Sequence, residues 1–186
     1  MTIPNMITIM RFFLVPAVVF ALLSGRFDLA FAGFLIAGIS DGVDGFIARR
    51  YPSQRSELGA YLDPAADKLL LVSVFVVLGF MGELPLWLVI AAVSRDALII
   101  GAVLLSSIMG KPVAMKPLYV SKANTAVQIV VAAVVMGDLA FQAGVENTRF
   151  WLAVLSGLLT MASAAAYLVA WLRHMTGNGE GEIQNG

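Results

Sequence analysis

Cysteine is absent from the 186 residues, which excludes disulfides, thiolate metal sites and a cysteine nucleophile. Histidine occurs once, as His174 near the polar C-terminus, so no chemistry that needs a histidine pair can be built. Charge is scarce as well. Only 13% of residues are Asp, Glu, Lys or Arg, against about 25% in soluble domains. The twelve basic and twelve acidic residues cancel, so nothing points to nucleic acid as a partner.

What fills the chain is apolar. Hydrophobic residues make up 60% of it and the mean hydropathy is +0.89, a composition that suits a lipid bilayer better than water. A spanning helix needs about 20 apolar residues. Six segments qualify, at 7–24, 29–50, 64–82, 86–109, 124–143 and 149–172, joined by short Gly/Pro/charged connections such as Ser24-Gly25-Arg26 and Gly82-Glu83-Leu84-Pro85. The fold class expected is therefore an all-α polytopic membrane protein: six transmembrane helices and a short N-terminal interfacial segment. Pro4-Asn5 reads as the interfacial helix start, with Asn5 as its N-cap, and Pro16 is expected to kink the first helix. Residues 1–176 form one membrane domain. Residues 177–186 are polar and Gly-rich and read as a disordered tail.

Arg11 interrupts the first apolar run and no cleavage site follows it, so insertion without processing is expected. Basic residues set the orientation. Arg49, Arg50, Arg55, Lys111, Lys116, Lys122 and Arg173 fall on one side, and only Arg26 and Arg149 on the other. The richer side is expected to be cytoplasmic, with both termini there, in a bacterial inner membrane rather than a mitochondrial one. Trp87, Trp151 and Trp171 stand near helix ends and read as interfacial anchors.

Against this background the acids stand out. Asp41 and Asp44 are three residues apart, and Asp63 and Asp67 four apart, so each pair shares a helical face. The polar stretch Arg50 to Leu58 between them is expected to reverse the chain and bring both pairs together at the membrane edge. An aspartate at a helix centre costs about 2.5–3.5 kcal/mol on insertion scales, and four of them would repel one another. A divalent cation resolves both problems, because hard oxygen ligands suit Mg²⁺ or Mn²⁺. A single one of these acids is explained as well by a helix cap or an ion pair with Arg49, Arg50 or Lys68. All four together are not. Gly45, Ala48 and Gly59 are small enough to leave a slot for a flat base and a diphosphate, although ordinary close helix packing also uses such residues.

The run Asp41-x-x-Asp44-Gly45-x-x-Ala48-Arg49, followed by Gly59-x-x-x-Asp63-x-x-x-Asp67, resembles the signature of the CDP-alcohol phosphotransferases. In most members eight residues separate the Arg from the next Gly; here Arg50 to Leu58 make nine. That longer gap, the run Ser53-Gln54-Arg55-Ser56-x-Leu58-Gly59, and the stretches Thr2-Ile3-Pro4-Asn5-Met6 with Arg11, Ser94-Arg95-Asp96, Lys116-Pro117 and Ser121 to Gln128 are similar to the mitochondrial-type cardiolipin synthase branch. The resemblance covers most of residues 2–128, and the last two helices carry little of it.

The resemblance implies that Asp41, Asp44, Asp63 and Asp67 ligate two divalent cations, that Asp67 also serves as general base, and that Asp41, Gly45, Ala48, Arg49 and Gly59 bind the CDP-lipid. It implies CDP-diacylglycerol and phosphatidylglycerol as substrates, CMP as a product, surrounding membrane lipids as partners, and a homodimer. Transfer is expected to be direct, without a covalent intermediate. For the acceptor's phosphate the candidates are Arg95, Lys116 and Lys122. Arg95 lies inside an apolar helix, where a charge is costly; an ion pair explains it equally, though not with Asp96, which as the next residue is not expected to face it. Lys116 and Lys122 are also accounted for by topology alone. Glycerol-3-phosphate is the alternative acceptor, and an intramembrane cation transporter the alternative from a different class. Transporters place such sites at the midplane in repeated halves, whereas here the acids cluster in one half.

Overall fold

The structure is a computed structural model. It describes the backbone of residues 3–50, 57–109 and 119–175, and the side chains of these except 3–9, 11–12, 41–50, 57–67, 107 and 174. Among the described residues all regular structure is helical: α1 Ile3–Leu23, α2 Phe27–Arg50, α3 Glu57–Phe80, α4 Leu86–Ile108, α5 Tyr119–Phe141 and α6 Glu146–Met175. The last turns of α1 and α3 are closed in the same way. Gly25 and Gly82 take left-handed φ values of 69° and 81°, a region costly for a side chain with a Cβ. The next residue's N–H then reaches back to the helix, Arg26 to Ala21 O and Glu83 to Leu78 O, both at 2.9 Å, which satisfies carbonyls the helix end would leave bare.

Helix α1 packs on α2 and α3, α5 packs on α2, α3 and α6, and α4 lies between α3 and α6. The core they share is built from Leu22, Phe34, Val74, Phe75, Leu78, Leu88, Val131, Val135 and Met136. Large apolar side chains also cover the outside, including Phe13, Phe20, Phe80, Leu98 and Leu158. Helices apolar on every face fit a lipid surround. Between α5 and α6 the contact is polar: Thr160 donates to Asn124 Oδ1 at 2.9 Å, deep in the interior. Hydroxyl and amide side chains hold helices together in this way where no water competes.

Three helical stretches are long and apolar enough to cross a membrane, Leu86–Ser106, Tyr119–Phe141 and Glu146–Arg173. Among the described residues the apolar parts of the others are shorter, Phe13–Leu23, Phe27–Ser40 and Lys68–Phe80. The second half of α2 carries Asp41, Asp44, Arg49 and Arg50, and the first half of α3 carries Glu57, Asp63, Asp67 and Lys68.

Two expected boundaries are corrected. Arg50 belongs to α2, and Glu57 and Leu58 to α3, so the reversal is shorter than Arg50 to Leu58; its residues 51–56 lie outside the described ones. At the start of the chain Asn5 lies inside α1 rather than at its cap, because Pro4 is tolerated in a first turn whose N–H groups need no partner. The separate interfacial segment is thus absorbed into α1. The tail from 177 onward and Lys116 also lie outside the described residues.

Candidate functional site

Asp41 and Asp44 fall in the last three turns of α2, and Asp63 and Asp67 in the first three turns of α3. The connection between these helix ends is residues 51–56, and six residues span at most about 20 Å. The topology therefore puts all four acid-bearing turns, with Gly45, Ala48, Arg49 and Gly59, at one end of the bundle. Their side chains lie outside the described residues. Among the described residues no cluster of three metal-ligating side chains occurs. The chemistry of the donor set at 41, 44, 63 and 67 is all carboxylate, which fits a hard divalent cation.

A cavity of about 420 Å³ opens beside these turns. It lies between α2, α3 and α5, with Phe34, Gly38, Leu71, Thr125 and Ile129 on its walls and Lys68, the residue after Asp67, at its polar end. Gly38 leaves it wide, since a Cβ there would meet nothing within 4 Å.

Lys68 also joins the cavity to a network of charges. Arg95, on α4, is buried, its side chain only 3% exposed. Its Nε and Nη2 both donate to Ser163 Oγ on α6, at 3.1 and 2.8 Å. Nη2 also donates to Ser121 Oγ on α5, and the guanidinium stacks over the Tyr167 ring, 5.7 Å from its centre. Nη1 donates to Asp96 Oδ1 at 2.5 Å. This corrects the expectation that Asp96 cannot face its neighbour: the two side chains leave the helix about 100° apart, but the long arginine stem curls back across that arc. The other Asp96 oxygen, Oδ2, accepts from Lys68 Nζ at 2.6 Å.

The structure thus brings Arg95 together with Asp96, Lys68, Ser121, Ser163 and Tyr167. It does not bring Lys122 into that group; Lys122 is exposed, with its Nζ 5.9 Å from the centre of the Tyr119 ring. Sequence reasoning passed over Lys68, Asp96, Ser163 and Tyr167 as members of this network. For Lys68 and Asp96 a signal existed, since each is a charge within an apolar stretch. Ser163 sits in the run Ala162-Ser163-Ala164 and gave none.

Comparison with known proteins identifies the family. The family model of the CDP-alcohol phosphatidyltransferases matches residues 1–172. A Drosophila melanogaster protein named probable cardiolipin synthase (CMP-forming) is 36% identical over 95% of this chain and 59% of its own length. The Homo sapiens cardiolipin synthase (CMP-forming) is 33% identical over 89% of the chain and 60% of its own length. A chloroplastic CDP-diacylglycerol–glycerol-3-phosphate 3-phosphatidyltransferase of Oryza sativa is 31% identical over 90% and 56%. The chain spans no more than about three fifths of the length of these relatives. With its signature acids placed on two successive helices at one end of an all-helical bundle, and a match running over nearly its whole length, the chain belongs to the CDP-alcohol phosphatidyltransferase family.

Proposed function

We propose that the protein transfers a phosphatidyl group from CDP-diacylglycerol to phosphatidylglycerol, forming cardiolipin and CMP. The observation that carries this reading is the placement of the four signature acids on adjoining helix ends beside an apolar cavity of about 420 Å³. The names of the animal relatives and the nine residues between Arg49 and Gly59 favour phosphatidylglycerol as acceptor. In this reading all six helices span the membrane, with the acids near the cytoplasmic face of a bacterial inner membrane. Two copies of the chain associate.

Asp41, Asp44, Asp63 and Asp67 hold two divalent cations, Mg²⁺ or Mn²⁺, which would neutralise the diphosphate and stabilise the departing CMP. Gly45, Ala48 and Gly59 give room for the nucleotide, and Arg49 meets its diphosphate. The α2–α3–α5 cavity takes acyl chain of the donor lipid. Asp67 accepts the proton of the acceptor's glycerol hydroxyl, whose oxygen attacks the phosphorus as the bond to CMP breaks. Arg95 offers the acceptor phosphate its one N–H, on Nη1, that has no partner among the described residues; Lys116 stays a candidate from the sequence, and Lys122 stands apart from this network.

Purified protein given CDP-diacylglycerol, Mg²⁺ or Mn²⁺, and either phosphatidylglycerol or glycerol-3-phosphate tests the proposal, with products read by lipid mass spectrometry. Cardiolipin from the first mixture alone is the expected result. Phosphatidylglycerophosphate from the second would reassign the acceptor to that of the rice relative. Metal-dependent CMP release in neither mixture would rule out the transferase.

A further inference from the structure

Among the described residues, the ion pair between Lys68 and Asp96 is the only side-chain hydrogen bond that ties α3 to another helix. These residues are 28 positions apart, and Asp67, the fourth signature acid, immediately precedes Lys68. The same Asp96 carboxylate takes Arg95 on its other oxygen, and Arg95 is fastened in turn to Ser121 on α5 and Ser163 on α6. One carboxylate therefore joins two cations that belong to different halves of the bundle. Its side chain is 15% exposed, and Lys68's 42%, so the link passes from an accessible ammonium into the interior.

We infer that Asp96 is a positioning residue for phosphatidyl transfer, setting the turn of α3 that carries Asp67 in register with the Arg95 site. The inference rests on the transferase reading for its kinetic consequences, though not for its geometry. A single carboxylate fits the task because its two oxygens can be used separately, one per cation. Without it, Lys68 would lose its partner next to a cluster of acids and cations, and Arg95 would keep only neutral partners. Removing it leaves the buried Arg95 guanidinium without a counter-charge, a larger loss than one neutral hydrogen bond, and frees the accessible Lys68 ammonium to turn to solvent. A misplacement of about 1 Å at reacting groups is enough to lower a rate by about a hundredfold.

The test is a double-mutant cycle of Asp96→Asn and Lys68→Met in the full chain, followed by CMP release with whichever acceptor the parent uses. Asparagine keeps the shape and removes the charge, so a space-filling role would leave the rates alone. Asp96→Asn is expected to lower kcat by about tenfold or more and raise the acceptor KM, with the donor KM within about twofold. The double variant is expected to be no slower than Asp96→Asn alone, since both substitutions break one link. Unchanged kcat and acceptor KM in Asp96→Asn, or effects that multiply in the double variant, would overturn the inference.

A second measurement keeps these outcomes apart from failure of the functional reading. Spin labels at Leu69→Cys and Leu98→Cys, both exposed in a chain without native cysteine, report the spacing of α3 and α4. Their distance distribution is expected to broaden when Asp96→Asn is added. If the parent releases no CMP, this result alone decides: an unchanged distribution refutes the link, and a broadened one supports it.

Discussion

Arg149 reaches from the first turn of α6 to Asp138 near the end of α5, with Nη1 3.0 Å from Oδ2. Its Nη2 meets the carboxylate and the backbone carbonyl of Glu83, in the turn between α3 and α4, at 2.6 and 2.7 Å. Asp138 Oδ1 accepts from the Val145 N–H at 3.3 Å. One guanidinium thus clamps two connections, α3–α4 and α5–α6, at the end of the bundle away from the signature acids. Only the fork of donors on arginine can serve so many acceptors at once. Replacing Arg149 by Met leaves Asp138, 8% exposed, without its counter-charge. A lower unfolding temperature is expected, with Arg149→Lys retaining part of the stability. Thermal unfolding in detergent measures this, and kcat at a permissive temperature should stay near the parent value.

Replacing any of Asp41, Asp44, Asp63 or Asp67 by Ala is expected to reduce CMP release by at least about a thousandfold, since each is assigned to the cation-holding set. Chelation should have the same effect on the parent, reversed by Mg²⁺ or Mn²⁺. Turnover that survives any of these changes would remove the basis of the mechanism.

Arg95→Ala should raise the apparent KM for phosphatidylglycerol more than that for CDP-diacylglycerol. The change also strips Ser121, Ser163 and Asp96 of a partner, so a drop in unfolding temperature is expected with it. Arg95→Lys keeps the charge and separates the two effects: it should lose the double contact to Ser163 while recovering part of the acceptor KM. An acceptor KM that does not move in either variant would argue for a purely structural arginine.

Two glycines should respond in opposite ways. A Cβ on Gly157 would stand 2.4 and 2.7 Å from carbons of the Trp87 ring, so Gly157→Ala is expected to destabilise by about 1–3 kcal/mol through overpacking. At Gly38 a Cβ meets nothing within 4 Å, and the open space is the α2–α3–α5 cavity. Gly38→Phe should therefore fold at nearly the parent temperature yet raise the KM for long-chain CDP-diacylglycerol, with a short-chain donor less affected. Equal effects on both donors would show that the cavity holds no acyl chain.

Composition and spacing alone were enough for the helical class and for six helices with ends near those found. These are local properties: a run of about 20 apolar residues can satisfy its backbone in lipid only as a helix, and three- or four-residue spacing fixes a shared face whatever surrounds it. The reach of α3 back to Glu57, through its charged half, was less legible, because hydropathy marks where lipid ends and not where a helix does. What only tertiary structure decided was partnership. Lys68 and Asp96, Arg95 and Ser163, Asp138 and Arg149 are separated by 28, 68 and 11 residues, and no helical period relates them. Which buried charge meets which depends on how α3 to α6 are stacked, and a charge inside an apolar helix announces that it needs a partner without saying from where.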